Sequence, residues 1–306
     1  MLAEAASTIE GALRVHSHEA CVRIGGVSLA LRGAGSDDVG LSHELEMFHD
    51  DSEDPDIEVQ VEWVRKLQPS RSETVFDSGA LWTLFRDSSE FVFDFTSPVL
   101  GAFPYKRLLV DLDFRNAQLI LNREALRDHH PVFPLEYPAD ELLVTNYLAS
   151  GVGVEVHGCG MIDAEAGGHL FVGHSGAGKS TTTMLWKSLR NPRILSDDRI
   201  ILRLHDGELW MYGTPWHGEA AFASAGKSRI DKIFILQHGE QNEIVELSRS
   251  QAVGELFARC FPPFHSAAGL ENTLDFLNKI LEVVPCYQFQ FVPEASAVQM
   301  ALGFHG

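Results

Sequence analysis

The sequence predicts a mixed α/β protein, with α+β character and mixed sheets, built from two domains. Apolar and polar residues alternate in the first part of the chain, as in IEVQVEWV at 57–64, and this period of two is typical of strands. Later, short apolar runs alternate with segments of helical spacing, which favours an α/β arrangement. The change falls in the proline-containing stretch 122–138. We therefore predict a β-rich antiparallel N-terminal domain at 1–125 and an α/β domain at 126–306.

The predicted strands of the N-terminal domain are joined by short turns. A strand or hairpin is expected around Gly25-Gly26, because these two glycines interrupt an alternating segment. The polar run 86–90 separates two apolar segments and predicts a second hairpin. No catalytic constellation stands out here, and the aromatic residues are most simply core residues. The predicted strand segments are 20–32, 57–64, 81–85, 91–95, 105–112 and 117–121.

The α/β domain is predicted from two different periods. Helices are expected where apolar residues recur at three and four positions, and strands where short apolar runs lie between turns. The predicted helices are 139–150, 181–189, 250–260, 268–283 and 294–302. The predicted strands are 152–156, 168–172, two strands within 193–202 on either side of a polar centre, 208–213, 230–237 and 285–292.

The charge balance limits the partners that the protein can have. The 306 residues include 24 Lys and Arg against 43 Asp and Glu, for a formal net charge of −19. A strongly acidic surface argues against nucleic acid and anionic membranes as partners. A polyanionic ligand such as ATP would therefore need a local cationic site and Mg²⁺.

Cysteine usage and hydropathy indicate the compartment. The four cysteines form no C-x-x-C pair and no zinc spacing, which predicts free buried thiols in a reducing environment. The chain has no apolar run of the ~18 residues that suggest a membrane-spanning helix. Its first residues, MLAEAASTIEGALRV, lack the basic region and apolar stretch of a signal peptide. A cytoplasmic location is expected.

The most specific motif in the chain is a phosphate-binding P-loop, or Walker A motif. The segment GHSGAGKST at 173–181 fits G-x-x-x-x-G-K-[ST], follows the predicted strand 168–172 and precedes the predicted helix 181–189. Glycines let the loop aim its N–H groups at phosphate oxygens. Lys179 adds a positive charge for the β- and γ-phosphates, and Ser180 is placed to ligate Mg²⁺. The predicted nucleotide-binding residues are Gly173, His174, Ser175, Gly176, Ala177, Gly178, Lys179, Ser180 and Thr181.

A pair of aspartates follows the P-loop. Asp197 and Asp198 lie 18 and 19 residues beyond Lys179, between two predicted strands. Successive strand residues point to opposite sides, but at a strand end both carboxylates can face the phosphates. One would then hold Mg²⁺, with Asp197 as the candidate, and the other would accept the proton of an incoming hydroxyl. The alternative is that one aspartate stabilises the turn between the two strands and the other is exposed to solvent, with no catalytic role for either.

Further polar residues lie before and after this pair. His157 is placed to orient a carboxylate or to tune its pKa, although a lone histidine is more often a packed residue with one hydrogen bond. The loop GTPWHGE at 213–219 carries His217 and Glu219, which are candidates to contact a hydroxyl or a metal. Lys227 and Arg229 follow and are candidates to neutralise phosphate charge. The alternative for all four is a surface loop with ordinary charges.

Three of these motifs together resemble a known family. His157-Gly158, the segment 173–180 and Ser196-Asp197-Asp198 are similar to the catalytic domain of bacterial HPr kinase/phosphorylase. That enzyme is a P-loop serine kinase whose fold is related to ATP-dependent phosphoenolpyruvate carboxykinase. The resemblance covers roughly residues 150–240. The whole chain looks more like the HPr-kinase-related proteins, some of whose relatives phosphorylate a peptide serine.

The resemblance implies roles for individual residues. One aspartate of the Asp197-Asp198 pair would be the general base for an acceptor serine, assisted by His157. The other aspartate and Ser180 would place Mg²⁺, and Lys179 with the loop amides would hold the ATP phosphates. Relatives in this family form hexamers, and the resemblance therefore implies that this protein can form a homo-oligomer.

The sequence also departs from that family. Thr181 stands where HPr kinases have a glutamate that can hold a second metal, which leaves a two-metal site and phosphorolysis open. The family's second signature is not recognisable after the aspartates, and the N-terminal region differs from that of true HPr kinases. HPr itself is therefore not the expected substrate.

The sequence predicts an ATP-dependent kinase, a transferase that acts with Mg²⁺. Its partners would be a nucleotide and a serine-like hydroxyl of a peptide, a protein or a small metabolite. A nucleotide-binding sensor with little or no phosphoryl transfer is the alternative from another class. A carboxykinase-like reaction is a third option, but it would need Mn²⁺ ligands and carboxylate-binding arginines that the sequence does not assemble.

Overall fold

The backbone forms two mixed β-sheets with few helices. The structure, a computed structural model, describes residues 18–34, 39–79, 81–87, 89–129 and 131–304. Residues 1–17, on which the expectation about a signal peptide rests, lie outside these ranges, and so does Ser88 in the predicted turn 86–90.

The first sheet contains eight strands in the order β1-β2-β3-β8-β7-β6-β5-β4. The two predicted hairpins are confirmed, because β1 pairs antiparallel with β2 and β5 with β6. The strands are β1 (Glu19–Ile24), β2 (Val27–Gly33), β3 (Ile57–Val64), β4 (Glu73–Asp77), β5 (Trp82–Arg86), β6 (Glu90–Phe95), β7 (Lys106–Asp111) and β8 (Asn116–Asn122).

The predicted antiparallel layer is wrong at the centre of this sheet. Strand β3 runs parallel to both of its neighbours, β2 and β8. The long connection from Gly33 to Ile57 crosses over and returns the chain in the same direction, which a tight hairpin cannot do. Alternation in β3 reports only that one face is buried, with Ile57, Val59 and Val61 inside. That pattern is the same for either direction of the partner strand.

Helix α3 packs into the hydrophobic core of the first sheet. Two short helices, α1 (His43–Glu46) and α2 (Arg123–Leu126), precede α3 (Ala139–Leu148). Leu143 and Val144 of α3 are fully buried in the same cluster as Val59 and Leu119 of the sheet. The cluster also includes Ile201, Tyr212 and Trp216, which belong to the second half of the chain. The core of the first sheet therefore extends past residue 125, and the domain boundary stays a prediction.

The second sheet carries the P-loop. Its main order is β14-β13-β12-β9-β10-β15-β17-β16, with β11 paired to β9. The pairs β10–β15 and β15–β17 are parallel, and the other pairs are antiparallel. The strands are β9 (Val154–Asp163), β10 (Gly167–Val172), β11 (Arg193–Ser196), β12 (Arg199–His205), β13 (Glu208–Tyr212), β14 (Lys227–Arg229), β15 (Ile233–His238), β16 (Glu243–Glu246) and β17 (Cys286–Phe291).

The predicted strand 152–156 and the segment after it form one strand, β9. Its glycines Gly158 and Gly160 do not end the strand but allow close packing. A Cβ at Gly160 would lie 2.7 Å from Ile200 Cδ1, and one at Gly158 would lie 3.1 Å from the carbonyl oxygen of Phe171. Glycine inside a strand often marks such a close approach.

Four helices complete the second half. The predicted helices are confirmed in kind, and each differs by a few residues at its ends, as is usual for helix boundaries. None of the described helices is both long enough and apolar enough to cross a membrane. All four cysteines are free thiols, and three of them are buried. The helices are α4 (Lys179–Arg190), α5 (Arg249–Phe257), α6 (Ala267–Val283) and α7 (Ala295–Gly303).

The position of α3 in the core predicts a large stability effect. We expect Leu143→Ala to lower the free energy of unfolding by about 2–5 kcal/mol, because it leaves a cavity between α3 and the first sheet. The measurement is urea denaturation followed by circular dichroism. Leu189→Ala, at a leucine of α4 that is 48% exposed, is the matched control and should cost less than about 1 kcal/mol. Equal effects of the two substitutions would contradict this packing.

Candidate functional site

The P-loop connects the end of β10 to the start of α4. The helix begins after Gly178, which has no side chain to cap it, so the amide groups of the first turn are available to an anion. Gly178 has a φ of +99°, and a Cβ there would lie 2.4 Å from Phe291 Cζ. Only glycine satisfies both constraints. Ser180 and Thr181 are exposed at the same turn.

Lys179 lies across the start of the loop. Its Nζ donates hydrogen bonds to the carbonyl oxygens of Gly173 (3.1 Å) and His174 (3.2 Å). The same Nζ lies 3.9 Å from Asp198 Oδ1. Burial lowers the pKa of the Lys179 ammonium, and the charge of Asp198 opposes that shift. The loop cation and the Asp198 carboxylate therefore belong to one site.

Asp198 is held by three basic side chains. Its Oδ1 lies 2.8 Å from His157 Nε2, and its Oδ2 accepts a hydrogen bond from the guanidinium of Arg199. Burial by itself would raise the pKa of Asp198, but the His157 hydrogen bond and the charges of Arg199 and Lys179 outweigh it and hold the pKa below its usual value. The carboxylate is therefore ionised at neutral pH and can accept a proton.

The neighbouring Asp197 has a different environment. Only 1% of this residue is exposed. Its two oxygens accept backbone hydrogen bonds from Gly218 (3.1 Å), Ala220 (3.1 Å) and Phe222 (3.2 Å). The two consecutive carboxylates lie in the bend between β11 and β12 and contact different partners. Asp197 organises the 218–222 loop, and its position does not support the predicted catalytic and Mg²⁺ roles.

Arg199 joins Asp198 to α3 and β9. Its Nε lies 3.1 Å from Glu141 Oε1 and 3.1 Å from Glu155 Oε1, and its guanidinium lies 4.0 Å from the centre of the Phe261 ring. Glu155 is fully buried, and burial together with the charge of Glu141 raises its pKa well above the usual value. The Arg199 charge opposes this rise in the pKa of Glu155. Sequence reasoning missed this network, because only Arg199 is adjacent to the motif residues.

A cavity of about 590 Å³ opens beside Asp198 and Arg199. It brings the predicted residue His217 next to Asp198, whereas Glu219 is exposed and does not line it. Trp216 forms part of the wall, and its Nε1 donates to Asp140 Oδ2 at 2.9 Å. Burial raises the pKa of Asp140 to about 6. The other aromatic and acidic lining residues are Phe133, Tyr137, Glu44 and Glu136.

Lys227 and Arg229 lie away from the P-loop. Both are on β14, where Arg229 pairs with Glu208. A Cβ at Gly168, near the start of β10, would lie 2.6 Å from the carbonyl oxygen of Arg229, whereas the P-loop follows the other end of β10. Lys227 Nζ lies 4.9 Å from the centre of the Trp210 ring. These positions do not support the predicted phosphate-neutralising role.

Few side chains are available to hold Mg²⁺. Across the described ranges, no three or more His, Cys, Asp or Glu side chains gather into a group that could hold a metal ion. Mg²⁺ usually keeps several waters and binds one or two protein groups together with substrate phosphates. Ser180 and Asp198, beside the P-loop, fit that limited role.

The comparisons with known proteins add no family assignment. No protein-family model matches the chain, and no curated protein matches it either. The resemblance to the HPr kinase family therefore rests on the three sequence motifs alone.

The contact between His157 and Asp198 predicts a measurable pKa change. In His157→Ala the carboxylate loses a hydrogen bond that favours its ionised form, so the pKa of Asp198 should rise. Carboxyl ¹³C NMR over a pH titration measures it. His217→Ala is the matched control, because His217 lines the same cavity and its Nδ1 lies 3.0 Å from the carbonyl oxygen of Gly218. An Asp198 pKa that is unchanged in His157→Ala would refute the assigned contact.

The hydrogen bonds of Asp197 predict a structural effect. In Asp197→Asn one charged acceptor oxygen becomes an NH₂ group that faces a backbone N–H, so we expect a loss of about 2–3 kcal/mol in the free energy of unfolding. Limited proteolysis should also cut the 218–222 loop faster. Asp198→Asn is the matched control and should leave the protease sensitivity of that loop unchanged. The assignment fails if the two variants behave alike.

Proposed function

We propose that the protein is an ATP-dependent kinase that transfers the γ-phosphoryl group to a hydroxyl of an acceptor bound beside Asp198. One observation carries the proposal: the Asp198 carboxylate lies 3.9 Å from the P-loop ammonium of Lys179 and also lines a cavity of about 590 Å³. A base in this position faces the phosphate-binding loop on one side and room for an acceptor on the other. The P-loop kinase fold of the HPr kinase type is part of this proposal.

In the proposed reaction, the P-loop amides and Lys179 hold the phosphates of ATP. The acceptor oxygen forms a bond to the γ-phosphorus as the bond from that phosphorus to the β,γ-bridging oxygen breaks, and ADP leaves. Asp198 Oδ takes the proton of the acceptor hydroxyl, and His157 keeps the carboxylate oriented. Ser180 and Asp198 would hold Mg²⁺, which would supply neutralising charge to the phosphate oxygens.

The cavity limits the charge of the acceptor. Four carboxyl groups line it, those of Glu44, Glu136, Asp140 and Asp198, against the single guanidinium of Arg199 in the lining. Lys106, buried behind the wall, offsets Glu136 at 2.8 Å. An anionic acceptor would meet like charge there. A neutral or cationic hydroxyl compound, or a serine in a peptide or protein, suits the cavity better.

The nucleotide sensor remains the second candidate. It is favoured by Arg199, which binds Asp198 directly and, with His157, keeps the carboxylate a weak base. In that case ATP binding would control an interaction without transfer. The cytoplasmic location and the homo-oligomeric state remain predictions.

Phosphoryl transfer distinguishes the two candidates. We expect the purified protein, incubated with ATP, Mg²⁺ and a cell extract, to yield ADP and a product one phosphoryl group heavier than its acceptor. ³¹P NMR monitors the conversion of ATP, and mass spectrometry of the extract detects the product. Asp198→Asn should lower the rate about 10²–10⁴-fold, because general base catalysis is lost. Lys179→Ala should weaken nucleotide binding as well.

One result would decide against the kinase, and a second would decide against Asp198 as its base. If ATP binds in a Lys179-dependent manner and no phosphoryl group is transferred to any component of the extract, the sensor replaces the kinase. If Asp198→Asn transfers phosphate at the wild-type rate, Asp198 is not the base. Circular dichroism of each variant confirms that it is folded.

A further inference from the structure

A second cavity, of about 520 Å³, lies between the two sheets. The β1–β2 turn and residues 48–50 line it from the first sheet, and β12, β13 and residues 225–227 line it from the second. Asp198 directly precedes β12, and Arg203 and His205 lie five and seven residues beyond Asp198 on that strand. At about 3.3 Å per residue, these two residues of the cavity are roughly 17–23 Å from Asp198.

This cavity is cationic in a protein that is strongly acidic. Its lining contains Arg23, Arg203 and Lys227 against one carboxylate, Asp50. Arg23 Nη2 pairs with Asp50 Oδ2 at 2.8 Å, which leaves two cations in excess. The chain as a whole has 24 basic against 43 acidic residues. The charge of the cavity therefore runs opposite to that of the protein.

The cationic groups converge on one hydrogen-bonded pair. Tyr212 Oη lies 2.8 Å from His205 Nε2. Burial lowers the pKa of His205, and the charges of Arg203 and Lys227 lower it further, while Asp206 opposes them. The positive field of both cations thus reaches the imidazole.

The position of Arg203 is fixed by the backbone. Its Nη1 donates to the carbonyl oxygen of Gly26 at 2.8 Å, and its Nε donates to that of Val152 at 3.3 Å. A Cβ at Gly26, where φ is +76°, would lie 2.9 Å from Arg203 Nη1. Glycine in the β1–β2 turn therefore allows the guanidinium to lie at the cavity wall. Because the Arg203 side chain is already held in place, less conformational entropy is lost when a ligand binds.

We propose that this cavity binds a small ligand with two or more negative charges, such as a phosphate monoester or a polycarboxylate. Arg203 and Lys227 supply the neutralising charge, and the Tyr212 hydroxyl and His205 imidazole supply hydrogen bonds. A cleft between two structural units is a common place for a small-molecule site. The proposal does not depend on the kinase assignment.

The test uses His205 as a local reporter in the full chain. Lys179→Ala serves as the background, so that phosphate does not bind the P-loop strongly. Inorganic phosphate is titrated, with chloride at equal ionic strength as the reference, and the His205 resonances are followed by NMR over pH. A bound anion stabilises the protonated imidazole, so the pKa of His205 should rise. The titration is repeated with citrate in place of phosphate. The anion that causes the His205 response at the lower concentration shows whether the cavity prefers a phosphoryl or a carboxylate ligand.

Charge variants make the test specific. Lys227→Gln should weaken phosphate binding about five-fold or more, because it removes one of two excess cations. Lys187→Gln is the matched control, since Lys187 Nζ also lies over an aromatic ring, 4.3 Å from that of Phe222, and it should leave binding unchanged. Absence of any His205 response to phosphate and citrate would overturn the proposal. So would an equal response in the Lys227→Gln variant.

Discussion

Arg199 is a half-buried cation shared by three carboxyl groups, and the arrangement of the candidate site depends on it. A buried charge is costly unless it is paired. Arg199 meets Asp198 at the P-loop, Glu155 on β9 and Glu141 on α3. Since α3 packs into the core of the first sheet, this one guanidinium connects the N-terminal sheet to the position of the Asp198 carboxylate. The two halves of the chain are thereby coupled at the site.

The two aspartates have identical side chains but different surroundings. Asp197 uses both oxygens on backbone N–H groups and sustains a loop. Asp198 is partly exposed to a cavity and faces side-chain cations. The oxygens of Asp197 are occupied by backbone N–H groups, whereas the cavity leaves room for a substrate beside Asp198. Trp216 and His217, which line the cavity, directly precede the loop that Asp197 holds, so the first aspartate lies next to the wall of the cavity that the second one lines.

Two cavities of opposite charge lie along β12. The one lined by Asp198 is acidic, and the other, around Arg203 and Lys227, is cationic. With a net charge of −19, the protein repels anions in general, so anions are favoured only where cations are gathered. The P-loop and the cationic cavity are such places. Under the proposals made above, the nucleotide, the acceptor and a further anion would each bind at a separate place.

The sequence by itself determined the local structure. Alternation identified strands such as β3, helical spacing identified α4 and α6, and the fixed residues of the P-loop motif located the glycine-rich loop between β10 and α4. These signals depend on residues close together in the chain. Only the tertiary structure decided the rest. The parallel partners of β3, the different surroundings of Asp197 and Asp198, the Arg199 network and the distance of Arg229 from the P-loop all depend on contacts between remote segments. Periodicity carries no information about such contacts, since it reports which face is buried and not what covers it.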